Sequence, residues 1–164
     1  MLKSHELFGF MSSDLARRIL EDTTHDNKEV YDATLAAVAN VRRLRPAYLK
    51  KQPRKARHDM VLNALTRPGF EEAAGGLIRG WLLKHQVNLL TQFLDTLDIE
   101  HENGVVEDLP PEMDDAKLNS AIDQILEGNE SEVVILYLHA FHAMNGAGWA
   151  NLETLLTADE RLQF

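Results

Sequence analysis

An all-α fold is the expectation for this chain of 164 residues. Three observations carry it. Apolar residues recur with the helical period along nearly the whole length, capping and stop residues fall where those stripes begin and end, and only Val105-Val106 and Val133 to Tyr137 are rich in strand formers. The expected architecture is one domain, residues 1 to 164, built as an irregular bundle of seven or eight helices around a buried helix at 131 to 144, with a small β-hairpin near 99 to 106.

In chain order, Ser12 or Ser13 caps a helix reaching about Asp22, with Leu15, Ile19 and Leu20 inward and Asp14 in the first turn, where the helix dipole favours an anion. Asp26 and Glu29 read as a capping box for a helix to about Arg45, where Pro46 stops it. PAYLKK is then a short turn, and Pro53 suits the first position of a helix whose Met60, Val61, Ala64 and Leu65 face inward. Arg67-Pro68-Gly69 ends that one. Phe70 to Asp98 has helical spacing for 29 residues, about 43 Å at 1.5 Å per residue, too long for one straight rod in so small a domain. A break is therefore expected near Lys84 to Gln86, followed by a stripe of Val87, Leu90, Phe93, Leu94 and Leu97.

Asp114 caps a helix with Leu118, Ala121, Ile122, Ile125 and Leu126 on one face, ended by Gly128. Ser131 opens SEVVILYLHAFHAM, apolar on every side; its length favours a buried helix over a strand, and Asn145-Gly146 stops it. A short helix from Trp149 to Leu156 follows, with Thr157 and Glu160 as a capping box for a last turn.

A hydrophobic content of 45% with 26% charged residues is that of a folded chain. The absence of cysteine removes disulfides, thiolate metal sites and cysteine nucleophiles together. The amino-terminal apolar run Leu7 to Met11 is too short for a signal peptide, and the longest uncharged apolar run, from Val133, is far short of a membrane span. A cytoplasmic protein without membrane contact is the expectation.

Charge is concentrated. DIEHENGVVEDLPPEMDD, residues 98 to 115, holds eight carboxylates and no Lys or Arg, nearly the whole of the net charge of −9. It fails as a calcium loop on register: with Asp98 first, Asn103 stands where the loop needs Gly and Leu109 where it needs Glu. Asn103-Gly104 as a tight turn, then Leu109-Pro110-Pro111 as an extended linker, accounts for it more simply, with the acids as a solvated face.

Its counterpart is RRLRPAYLKKQPRKAR, residues 42 to 57, where Arg42, Arg43, Arg45, Lys50, Lys51, Arg54, Lys55 and Arg57 stand without a single acid. The first three suit a helix C-terminus. Arg54, Lys55 and Arg57 fall in the first turn of a helix, where the dipole opposes them, so an anionic partner is expected to offset the cost.

His139 and His142 share a helix face and are the candidate metal ligands, though no Glu-x-x-His or His-Glu-x-x-His accompanies them; two buried, hydrogen-bonded imidazoles are the simpler reading. No G-x-S-x-G, phosphate loop or nucleotide motif occurs. No catalytic residue, metal or cofactor is therefore assigned. The leading expectation is a non-enzymatic protein that binds a protein partner, or itself, through its segregated acidic and basic surfaces. Nucleic-acid or phosphate-ligand binding through residues 42 to 57 is the alternative, weakened by a pI near 5.2. A metal-dependent enzyme using His139 and His142 is the third.

Overall fold

The computed structural model describes residues 1 to 164 and is all-α: ten α-helices and two 3-10 turns, with no strand. Contacts along the chain divide it into two compact units, Lys3–Trp81 and Leu82–Phe164 together with Met1–Leu2.

The first unit begins with α1 (Ser4–Phe10), which the spacing of apolar residues did not reveal because seven residues carry too little period. Two carboxylates hold its start. Lys3 N–H donates to Glu6 at 2.7 Å, and Glu71 accepts from Ser4 N–H, His5 N–H and His5 Nδ1 at 2.9, 3.0 and 2.6 Å. These bonds satisfy amides that a helix N-terminus otherwise leaves unpaired. Ser12 caps α2 (Ser13–Asp26) as expected, its hydroxyl accepting from Leu15 N–H at 3.1 Å, and the helix runs one turn beyond Asp22. The cap of α3 (Lys28–Val41) is Asn27, whose carbonyl oxygen accepts from Val30 N–H, so the Asp26–Glu29 box is not the one used.

PAYLKK is a helix rather than a turn: Pro46 is its first residue in α4 (Pro46–Lys51), where its missing N–H costs nothing. Pro53 precedes rather than begins α5 (Arg54–Leu65). These two short helices, α1 and α4, are the ones beyond the expected eight. A 3-10 turn at Pro68–Phe70 leads into α6 (Glu71–His85). Within the unit, α2 packs on α3 and α5, α3 on α4 and α5, and α1 on α5. Leu7, Ile19, Leu20, Leu35, Val38, Leu65, Leu77 and Ile78 are fully buried among them. Trp81 lies at the edge of this core, donating its indole N–H to Asp22 at 2.9 Å under the Arg18 guanidinium.

In the second unit the long stripe breaks at Gln86, within the expected interval, and α7 (Val87–Thr96) follows. Asn103 and Gly104 both have positive φ and form a two-residue turn closed by Glu102 and Val105, which exchange hydrogen bonds of 2.9 and 3.0 Å. Pairing stops there, so the expected hairpin is a single bridge. Gly104 also lies against Leu90, where a Cβ would press on its side chain at 3.0 Å. Asp114 caps α8 (Asp115–Gly128) by accepting from Lys117 N–H at 3.0 Å.

The helix expected to be most buried is α9 (Ser131–Asn145), with every residue from Val133 to His142 buried and Gly146 in the left-handed region ending it. Strand propensity at Val133 to Tyr137 loses to burial on all faces, which a helix satisfies with its own backbone bonds. Phe93, Tyr137, Phe141 and Trp149 form one aromatic cluster with ring centroids 5.5 to 5.9 Å apart. After α10 (Ala150–Ala158), the last 3-10 turn is capped by Asp159, not by Thr157. The start of α10 also anchors the linker before α8: Trp149 Nε1–H donates to Pro110 C=O and Asn151 to Met113 C=O, each at 2.7 Å. No helix is long and apolar enough to cross a membrane.

Candidate functional site

Residues 42 to 57 leave α3, form α4 and enter α5, so ends of three helices fall within them. Buried Leu49 fixes α4 to the unit, and the cations project from what remains. Arg42, Arg43, Arg45, Lys51 and Lys55 are exposed, and their side chains make no internal hydrogen bond or ion pair. Lys50 pairs with Asp32 at 3.1 Å, and the Arg54 guanidinium reaches His25 Nε2 at 3.3 Å. Arg43 has φ 55, a left-handed conformation that turns the chain after α3.

Arg57 has the internal role that its position in the sequence hid. Its guanidinium donates to Lys50 C=O at 3.0 Å and Gln52 C=O at 3.3 Å, carbonyls at the end of α4 that the helix cannot satisfy itself, and its Nε–H donates to Tyr31 Oη at 2.8 Å. Tyr31 in turn lies 3.3 Å from His58 Nε2; with its oxygen engaged by Arg57, the hydroxyl donates to the imidazole. This assigns His58 as neutral with Nε2 accepting. Burial, and then the Arg57 and Arg54 charges, lower its pKa from the ordinary value of 6.5. Arg57 is therefore a clamp joining α3, α4 and α5, and the dipole cost at the start of α5 is offset internally for that residue.

All eight acids of residues 98 to 115 are exposed. Five of the chain's acids, Asp95, Glu100, Glu102, Glu107 and Asp108, line an open cavity of about 640 Å³ with His101. His101 holds this loop together: Nδ1 accepts from Gly104 N–H at 3.2 Å, which leaves Nε2–H to donate to Asp95 at 3.0 Å. Asp98 pairs with Lys117 at 2.7 Å.

His139 and His142 are buried side by side on α9. His139 Nε2–H donates to Leu162 C=O at 3.2 Å, and its ring stacks on Phe164. His142 Nε2 lies 3.2 Å from Glu153 of α10. Burial lowers both pKa values, against the pull of the Leu162 carbonyl on one and of Glu153 on the other. Both Nδ1 atoms and His142 Nε2 are buried without a well-aligned hydrogen-bond partner, so His142 meets Glu153 as a close charge contact, and no group of three or more His, Asp or Glu side chains is placed to hold a metal ion. His139 thus ties α9 to the carboxyl-terminal turn, and His142 faces Glu153 on α10.

Comparison with protein-family models, with curated proteins and with solved structures finds no match to this chain.

Proposed function

We propose that the chain is a non-enzymatic interaction protein that binds an acidic protein partner through the surface formed by residues 42 to 57. One observation carries this reading: Arg42, Arg43, Arg45, Lys51 and Lys55 stand exposed, in a run without acids, and meet no counter-charge in the fold. Like charges held together repel one another, and an anionic surface relieves that repulsion on contact. The acidic cavity beside His101 extends the same logic to cationic partners. Nucleic-acid binding is the second reading, favoured by Tyr48, an aromatic exposed to 52% within the basic run and available for stacking on a base.

The experiment is a selection of random peptides on the immobilised chain, beside titrations with duplex and single-stranded oligonucleotides. The comparison variant changes Arg42, Arg43, Arg45, Lys51 and Lys55 together to Gln; Arg57 is left in place because it is a clamp. Enrichment of acidic peptides whose affinity falls at least tenfold in the variant supports the proposal. Oligonucleotide binding that weakens with salt, with a log–log slope of about −0.9 per duplex phosphate or −0.7 on single strands, and no peptide selected, replaces it with the second reading.

A further inference from the structure

Helices α3 and α6 meet at one end and part at the other. At the meeting point, a Cβ on Gly80 would lie 3.5 Å from the Val30 side chain; one turn earlier, a Cβ on Gly76 would meet nothing within 4 Å. The opening between them is a trough of about 530 Å³ that extends to Val41 and Gly69. Its lining follows helical spacing on both sides, with Val30, Ala33, Ala37 and Val41 on α3 facing Ala73 and Leu77 on α6. Thr34, Phe70 and Leu77 are its buried floor, while small side chains at the rim keep it open. Val41 is exposed to 56%, unusual for a branched apolar residue with such neighbours.

Charge identifies the occupant. Glu72 is the one charged residue among those lining the trough, whereas its Val41–Gly69 end is followed in the chain by Arg42 and Arg43, just past α3, and preceded by exposed Arg67 before α6. Two helix faces with i, i+3, i+4, i+7 spacing form a seat for a third helix, and an apolar stripe on that helix would bury against the alanines and Val41. Flanking carboxylates at its end would meet Arg42, Arg43 and Arg67. We infer that the α3–α6 trough docks an amphipathic helix with an apolar stripe and acidic flanks, supplied by a partner protein. This deepens the proposed function and rests on it, since Arg42 and Arg43 of the same basic run follow Val41 at the end of the trough.

The probe is a fluorescein-labelled 16-residue peptide with Leu at i, i+3, i+4, i+7 positions and Glu on its flanks, titrated by anisotropy, with its helicity followed by circular dichroism. Gly76→Leu and Ala37→Leu fill the trough; the first meets open space and replaces a poor helix former, so its unfolding midpoint should not fall. Gly9→Leu, at an equally open glycine on α1, is the control. The inference expects the peptide to bind and become helical, affinity to drop at least tenfold in Gly76→Leu and Ala37→Leu, and Gly9→Leu to bind like the unchanged chain. Binding that survives both filling variants but is lost when the five exposed cations become Gln overturns the trough while leaving the basic surface standing. Failure of the peptide to bind the unchanged chain overturns it as well. A concentration-dependent dimer in sedimentation that Gly76→Leu dissolves would overturn the partner assignment in favour of a second copy.

Discussion

Arg57→Gln should destabilise the first unit by about 2 kcal/mol, whereas Lys55→Gln, two residues away, should change stability by less than about 0.5. The magnitude follows from what the guanidinium holds. It makes three bonds, at 2.8 Å to Tyr31 Oη, 3.0 Å to Lys50 C=O and 3.3 Å to Gln52 C=O. A hydrogen bond to a charged donor contributes about 1.5–3 kcal/mol where water is excluded. Arg57 is half-buried, so about 1 kcal/mol for each of the two shorter bonds, and little for the third, is the discounted figure. Arg57→Lys keeps the charge but not the planar fork and should recover less than half of the loss. Urea unfolding followed at 222 nm gives the stability difference, and hydrogen exchange at the amides of α4 localises it, because the end of that six-residue helix is where two of the bonds land. A loss below about 0.5 kcal/mol, with unchanged exchange in α4, would refute the clamp and return Arg57 to the free cationic surface.

Glu71→Gln tests the start of α1. Partial burial opposes the Glu71 charge, but the bonds from His5 and Ser4 outweigh it and pull the pKa from 4.5 down to about 2. With the side chain 44% exposed, solvent screening reduces the linked stabilisation to about 1–2 kcal/mol. That contribution is present above pH 4.5 and is lost as pH falls through the folded value, so urea midpoints of the two chains should converge below pH 4.5; a constant gap refutes the linkage. His58, His139 and His142, all held neutral by burial, give the opposite test at milder pH. Below about 6.5 the unfolded chain binds the extra protons, so midpoints should fall from pH 7.5 to 5.5, and a flat profile excludes the neutral assignments. Gly104→Ala should cost about 1–3 kcal/mol, because φ 89 is strained for alanine and its Cβ would press on Leu90 at 3.0 Å; a variant as stable as the parent in urea refutes that strain.

Much of the helical plan was legible locally. A cap such as Ser12 or Asp114 acts on amides three residues away, and a stop such as Gly128 or Gly146 acts on the turn before it, so both are written in contiguous residues. The uniform apolarity of residues 133 to 142 likewise announced burial of α9 on every face. The concentration of charge at 42 to 57 and 98 to 115 was equally plain, since counting needs no geometry.

What tertiary structure alone decided are the bonds between distant residues. α1 is pinned by a carboxylate 67 residues later, the interval from Ser4 to Glu71, and no local rule joins them. Arg57 looked like a free cation because its acceptors are backbone carbonyls of another helix and a tyrosine 26 residues earlier. The α3–α6 trough is invisible for the same reason: alanine and glycine spacing on each helix says only that two helices could approach, and it took the contact at Gly80 and the gap at Gly76 to show where they part. Helix period and caps are properties of neighbouring residues, whereas clamps and grooves depend on which helix faces the packing brings together.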